Sequence, residues 1–319
     1  MTEIAIVECA PRDGMRLAAN DVSIEEKVSF IDALSAAGVK KIEAVSFVHP
    51  RFIPRIEDAE AVIKQLPKRL GTSYVGITPN EVACRRAMLT DIDDILILVA
   101  ASDLFNQVAL GYSLRTMMNK VIPAIINVAR EQGKGVRAYI LTAFGCPYAG
   151  PVSACQVEEL VARLDFMSVN EISFVDSTGM ATPVQVKKLL LPLLKMDLKS
   201  DLAVHFHDNR GMGMANAMAA FDAGIRIFDT AVGGMSVLPF GAPEQQVATW
   251  NIPTEDLVNM FESMGVKTGV DLDRLLDCVA TAEKIVGKEL TGHILKTGRT
   301  DRVFNAPKKL KLTNPTGGI

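Results

Sequence analysis

Cysteine is scarce in this 319-residue chain: there are five, with no CxxC pair and no zinc-finger spacing. Cys9, Cys84, Cys146, Cys155 and Cys278 are scattered and odd in number, so they read as reduced thiols of a cytoplasmic protein rather than as a disulfide framework. Neither sign of charge is in excess. Against 37 Asp+Glu stand 34 Lys+Arg, a net charge of -3, and no global field recruits nucleic acid or an anionic membrane. The basic run Lys308-Lys309-Leu310-Lys311 is a local exception that reads as a solvated terminus. Long apolar runs are missing too: no uninterrupted stretch approaches the roughly 18 residues of a membrane span. The start Met-Thr-Glu-Ile-Ala-Ile-Val carries an acid and no basic leader, so no targeting segment is expected. No GxGxxG follows the first apolar run, which weakens a doubly wound dinucleotide-binding sheet. What is left is an ordinary globular composition, 49% hydrophobic and 22% charged, enough for one large domain or two modest ones.

Within that composition, short apolar runs alternate with longer amphipathic segments. Residues 4–8 read as a buried strand, and residues 22–37, with Ser23 as cap and Glu26 three residues on, read as a helix ended by Gly38. Further strand–helix pairs follow at 41–46 and 56–65, 73–77 and 80–87, 94–99 and 114–132, 136–141 and 153–167, 171–175 and 183–194, and 202–205 and 211–223. An eighth strand at 227–232 precedes a helix at 254–264. Eight such units over about 265 residues predict a (β/α)8 TIM barrel, whose usual size is about 250 residues. The expected organisation is a barrel over residues 1–265 and a C-terminal helical extension and tail over 266–319.

The barrel supplies a positional test for candidate chemistry, because its active sites lie at the C-terminal ends of the strands. Arg12 and Asp13 follow strand one, Glu43 to Ser46 close strand two, Asp176 and Thr178 follow strand six, and His205 and His207 close strand seven. Residues i and i+2 of a strand share a side, so the two histidines can converge on one metal with Asp13 beside them. Bland alternatives exist for each. Asp13 before Gly14 could cap a turn, Glu43 could pair with Lys40 or Lys41, and Asn251 could cap the helix near Thr254, although Thr254 is itself a good cap. Placement at one end of one barrel favours the shared site.

The ordered set Pro11-Arg12-Asp13-Gly14-Met15, Ile42-Glu43-Ala44, Ser46-Phe47-Val48, Gly145-Cys146-Pro147-Tyr148, Asp176-Ser177-Thr178-Gly179, His205-Phe206-His207-Asp208 and Thr254-Glu255-Asp256 resembles the 3-hydroxy-3-methylglutaryl-CoA lyase family of metal-dependent barrel lyases. The resemblance runs from about residue 3 to residue 286. It implies retro-Claisen cleavage of a 3-hydroxyacyl-CoA with Mg²⁺ or Mn²⁺, Zn²⁺ being compatible with the donor set, and a homodimer. It also implies metal ligation by Asp13, His205, His207 and Asn251, catalysis by Arg12 with Glu43 as its acidic partner, and substrate contacts from Ser46, Asp176 and Thr178.

Two departures stand out. The family's glycine-rich loop bears a catalytic cysteine, and here Gly233-Gly234-Met235-Ser236-Val237-Leu238-Pro239 places Leu238 at that position. Leucine moves no proton, so either another group such as Glu244 in the same loop does, or water does, or the reaction differs. Arg16 stands where the family has glutamine, and a guanidinium there would change which acyl carboxylate is read. A metal-dependent aldolase or Claisen-type synthase acting on a 2-oxo acid, and a non-catalytic metal or acyl-CoA binding protein, are the competing functions.

Overall fold

The alternating strands close on themselves. The structure, a computed structural model, describes residues 2–18, 20–49, 58–237 and 248–305. The strands are β1 (Ala5–Glu8), β2 (Lys41–Ser46), β3 (Ser73–Ile77), β4 (Asp94–Ala100), β5 (Gly135–Leu141), β6 (Glu171–Asp176), β7 (Asp201–Phe206) and β8 (Ile227–Thr230). They pair in parallel and in chain order, and β8 returns to β1 with Ala5 opposite Ile227 and Glu8 opposite Thr230. Around them lie α1 (Ile24–Ala36), α2 (Ala59–Gln65), α3 (Glu81–Ala87), α4 (Ile122–Glu131), α5 (Ala154–Phe166), α6 (Pro183–Leu193), α7 (Gly213–Ala223) and α8 (Thr254–Ser263). This is the (β/α)8 TIM barrel. A further helix, α9 (Leu272–Val286), buries Leu275, Cys278, Val279 and Ala282 in the same core as the barrel helices. No helix among the described residues is long and apolar enough to cross a membrane.

Local chemistry sets the element ends. Glu26 N–H donates to Ser23 Oγ at 3.2 Å while Ser23 N–H donates to Glu26 Oε2 at 2.8 Å, the reciprocal cap that starts α1. After α1 the chain turns through Gly38 at φ +98°, where a Cβ would sit 2.4 Å from Gly269 O. Thr254 proves not to be the cap of α8, since Pro253 occupies that position and the Thr254 hydroxyl donates to Glu8 instead. The helix expected at 114–132 contains a π-helical stretch, Met117–Val121, before α4, and a second one, Asn106–Leu110, was not foreseen. The strand expected to reach 232 stops at Thr230. Beyond it Val232–Gly234 forms a tight turn, with Gly233 at φ +62°, leading into β9 (Met235–Val237), which pairs antiparallel with β10 (Ala248–Trp250).

Strand alternation divides the interior. On β5, Val136, Ala138 and Ile140 face the helices, while Tyr139 and Leu141 join Val75, Ile77, Leu96 and Val175 in a separate cluster inside the barrel. The interior row of β3, β4 and β6 is thus apolar near the mouth. Toward β2, β7 and β8, and low on β5, it is polar: Glu43, His205, Asp229 and Arg137 are all buried. Pairing between β2 and β3 shifts register between Glu43 and Val45. That irregularity lets Glu43 and Ser46, three residues apart, both serve the interior, which strict alternation forbids.

Candidate active site

The segment after β1 does not loop freely, as a turn capped by Asp13 would. Ala10–Asp13 forms a helical turn with Pro11 in its first two positions, and Gly14–Leu17 continues it as a 3-10 turn. Glu8 explains the tight start. Its Oε1 accepts from Ala10 N–H (2.9 Å) and Val232 N–H (3.1 Å), and its Oε2 from the Thr254 hydroxyl (2.6 Å). One carboxyl therefore ties together the segments that carry Arg12 and Asp13, Ser236, and Asn251.

These residues meet at the C-terminal mouth. The backbone of His207 bridges that of Asn251, and Asp208 N–H donates to Trp250 O at 2.6 Å, which fixes the chain after β7 against the chain after β10. His205 Nε2 lies 2.8 Å from Asn251 Oδ1, and the rings of His205 and His207 are 5.2 Å apart. Asp13 Oδ2 accepts from Ser236 Oγ at 2.7 Å, and Asn251 Nδ2 is 3.4 Å from it. Thr249 Oγ1 donates to Ser236 Oγ at 2.9 Å, so the hairpin of β9 and β10 serves as the outer wall for Asp13.

Arg12 is clamped on the same side. Its Nε donates to Glu43 Oε2 at 2.9 Å, its Nη2 donates to the same oxygen, and its Nη1 lies 3.1 Å from Asp13 Oδ1. Glu43 is 1% exposed and touches neither Lys40 nor Lys41, which pair with Glu3 and Glu171. Sequence reasoning missed Arg137, Tyr139 and Asp229, which complete this cluster. Tyr139 Oη donates to Glu43 Oε1, and Asp229 Oδ2 lies 3.4 Å from His205 Nδ1. The available signal was an arginine inside an otherwise apolar strand run.

Burial and neighbours set the protonation states. Desolvation resists ionisation of Asp13, but Arg12, the Ser236 hydrogen bond and His207 outweigh it and hold the carboxyl below its usual range. His207 is pushed down to about 3 by burial and by the adjacent His205, so its ring is neutral, and its Nδ1 is buried without a hydrogen-bond partner. A neutral imidazole with an idle nitrogen, an ionised carboxylate and an amide oxygen form a donor set that suits a divalent cation. As the side chains stand, no three His, Cys, Asp or Glu among the described residues form an ion-holding group by themselves, and His205 and Asn251 hydrogen-bond each other. The chemistry of the donors fits; their spacing as seen is that of a hydrogen-bonded cluster.

Other expected site residues stand further out. Ser46, 2% exposed, lines the cavity. Asp176 accepts from the N–H groups of Met180 (2.7 Å) and Ala181 (2.9 Å), shaping the loop after β6, and burial pushes it up to about 6 despite those bonds. Thr178 carries a buried Oγ1 without a partner, while its carbonyl accepts from Arg210 at 2.6 Å. Cys146 is buried, and its sulfur accepts from Tyr148 and Ala149 N–H, so it organises its own turn. Leu238 and Glu244 lie outside the described residues.

Arg12, Asp13, Arg16, Ser46, His205 and His207 form one pole of a cavity of about 570 Å³. Its other wall is apolar, with Ile77, Leu98, Leu110, Met117, Leu141 and Val175. Arg16 makes no hydrogen bond or ion pair among the described residues, and desolvation lowers the pKa of its guanidinium.

Comparison with known proteins supplies the family. Residues 3–281 match the HMGL-like family model. The chain is 36% identical over 278 residues to the mitochondrial hydroxymethylglutaryl-CoA lyase of Bos taurus, covering 87% of this chain and 84% of that protein. It is 34% identical over 294 residues to a hydroxymethylglutaryl-CoA lyase of Bacillus subtilis, covering 92% and 97%. Among solved structures, an HMG-CoA lyase from Acinetobacter baumannii in complex with coenzyme A and 3-methylmalate superposes with a TM-score of 0.87 at 33% identity, covering 93% and 96%. The chain belongs to the HMGL-like family and is a carbon–carbon lyase of the hydroxymethylglutaryl-CoA lyase type.

Proposed function

We propose that this lyase cleaves 3-hydroxy-3-methylglutaryl-CoA or a related 3-hydroxyacyl-CoA, with Mg²⁺ or Mn²⁺ held by Asp13, His205, His207 and Asn251. The observation that carries the reading is the buried meeting of that donor set with an arginine fixed by Glu43 at the polar pole of the cavity. Coenzyme A and a hydroxy diacid bound to the Acinetobacter relative support a thioester of a hydroxylated diacid as substrate.

In the retro-Claisen step the C3 hydroxyl gives up its proton and C3 becomes a ketone. The C2–C3 bond breaks, its electron pair passes to C2 as a thioester enolate, and protonation at C2 completes acetyl-CoA. When bound, a divalent cation would supply Lewis acidity at the substrate oxygens. Arg12 has a different task. Held by Glu43, its guanidinium faces the cavity as a preorganised donor for the enolate oxygen, a contact of the kind worth about 2.7–4 kcal/mol when removed. Glu244 is the proposed source of the C2 proton, Arg16 the proposed reader of a free acyl carboxylate, and Ser46, Asp176 and Thr178 shape the substrate's surroundings. A homodimer in the cytoplasm belongs to the same proposal.

The test is a panel of 3-hydroxyacyl-CoA thioesters incubated with the protein and Mg²⁺ or Mn²⁺, with acetyl-CoA release as readout. Release from at least one diacid thioester is expected. Inactivity across the panel, or metal-dependent pyruvate release without any CoA requirement, would overturn the reading.

A further inference from the structure

The interior row of β5 begins with an arginine. Arg137 is 3% exposed, and its guanidinium reaches carboxylates on three other strands. Nη1 donates to Glu43 Oε1 on β2 at 2.9 Å, Nε donates to Glu171 Oε1 on β6, and Nη2 donates to Asp229 Oδ1 on β8. Each carboxylate turns its other oxygen to a different group. Glu43 Oε2 holds Arg12, Glu171 Oε2 holds Lys41, and Asp229 Oδ2 accepts from Ser173 Oγ at 2.8 Å and lies 3.4 Å from His205 Nδ1. Tyr139, two residues along the row, bonds Glu43 and lies 3.3 Å from His205 Nδ1. One guanidinium thus stands one side chain away from Arg12 and one side chain away from His205.

Stability alone is a poor reason for this arrangement. Taking several ions out of water costs more than a well-packed apolar layer, and barrels usually fill this layer with Val, Ile and Leu. Each of Glu43, Glu171 and Asp229 meets at least one of the cations Arg12, Arg137 and Lys41, so the cluster is tolerated. What it adds is direction. A planar fork offers five N–H groups at fixed angles, whereas a lysine ammonium is a single point charge that cannot meet three carboxylates in this way.

We propose that Arg137 is a positioning residue that holds the Arg12 guanidinium and the His205 imidazole in register with one another, acting through Glu43 and Asp229. The inference rests on the functional reading above. Loss of the fork would let both groups drift at once, and a shift of about 1 Å in such a group costs about 100-fold in rate. Freeing the partner of a ligating imidazole costs about 10- to 100-fold in metal affinity.

Two variants test it, Arg137→Lys and Glu171→Gln. Glu171 touches neither the cavity nor Arg12 nor His205; its partners are Arg137 and Lys41, and of these Arg137 is the one bonded to both Glu43 and Asp229. Mn²⁺ binding would be followed by electron paramagnetic resonance on the protein without substrate. Thioester turnover would give kcat and KM, and thermal unfolding would report the fold. For R137K we expect a folded protein with kcat down about 100-fold, Mn²⁺ affinity down about 10-fold or more, and KM little changed. E171Q should move kcat and Mn²⁺ affinity in the same direction by less, and it decides the matter if R137K does not fold. A variant that lowers the unfolding temperature while kcat and Mn²⁺ affinity stay at wild-type values would overturn the inference. If the wild type itself neither binds Mn²⁺ nor turns over any thioester, the functional reading falls and this role falls with it. Active wild type with unaffected variants rejects the positioning role alone.

Discussion

Arg16 brings to the cavity a guanidinium that no hydrogen bond or ion pair among the described residues engages. It sits in the 3-10 turn, three residues beyond the short helix that presents Arg12 and Asp13, and desolvation there outweighs the pull of nearby Asp13. A half-buried cation in that state gains most from an anion delivered by the substrate. Arg16→Gln is expected to raise KM by about 10- to 100-fold for thioesters that carry a free carboxylate, the worth of a charge-assisted hydrogen bond of about 1.5–3 kcal/mol. Thioesters with a neutral acyl end should be nearly unaffected. Equal loss for both kinds, read from steady-state kinetics, would remove Arg16 from substrate recognition. At this scale the sequence was legible where residues come in short ordered motifs: Arg12, Asp13, Glu43, His205, His207 and Asn251 all fall at one end of the barrel. Arg137, Tyr139 and Asp229 were not legible. They lie on β5 and β8, the carboxylates and imidazole they meet come from other strands, and only closure of the barrel brings them together.

Among the elements, the β9 and β10 hairpin does most to complete the site, and it depends on a close approach. A Cβ on Gly14 would lie 2.3 Å from Met235 Cβ and 2.9 Å from Met235 Cε, so the turn after β1 and strand β9 pack with no room between them. Ser236, next along β9, donates to Asp13. Gly14→Ala should therefore push β9 away from Asp13 at a cost of about 1–3 kcal/mol in stability, a typical overpacking penalty, and weaken Mn²⁺ binding as well. Denaturant unfolding and a Mn²⁺ titration of the folded variant would check both, and wild-type values would show that Met235 yields freely. The hairpin was not foreseen because its strands are three residues each and its pairing lies between segments that the sequence presents only as a glycine turn and a linker. The eight barrel strands were foreseen because each is an apolar run followed by an amphipathic helix. Several helix starts were readable from side-chain caps, as at Ser23 and Glu26. The start of α8 at Thr254 was readable as well, but its cap was not, since the Thr254 hydroxyl answers to Glu8, which is remote in sequence.

Across the whole molecule, the same buried carboxyls that join its segments also link its stability to pH. Burial, with Asp256 and Glu8 nearby, raises Glu255 from 4.5 to about 8, against the pull of the Gly233 N–H. Desolvation likewise raises Glu8 to about 7. Between about pH 4.5 and 8 the folded chain keeps a proton on Glu255 that the unfolded chain releases. The contribution is complete below about pH 4.5 and is lost as pH rises through about 8, at up to about 1.4 kcal/mol per pH unit. Glu255→Gln carries no proton to lose. Its urea midpoint should fall less steeply from pH 5 to pH 8 than that of the wild type, leaving the share due to Glu8 between about 4.5 and 7. An unchanged slope would mean that Glu255 is already ionised in the fold.

The proposed chemistry needs a divalent cation at Asp13, His205, His207 and Asn251. The most direct test is a titration of the purified, chelator-treated chain with Mn²⁺, followed by electron paramagnetic resonance, on wild type, Asp13→Asn and His207→Ala. We predict one ion bound per wild-type chain. Changes behind a ligand cost about 10- to 100-fold in affinity, so removing a ligand should cost more than about 100-fold in each variant. Wild type that binds no ion, or variants that bind it as tightly as wild type, would rule out a metal site at these residues.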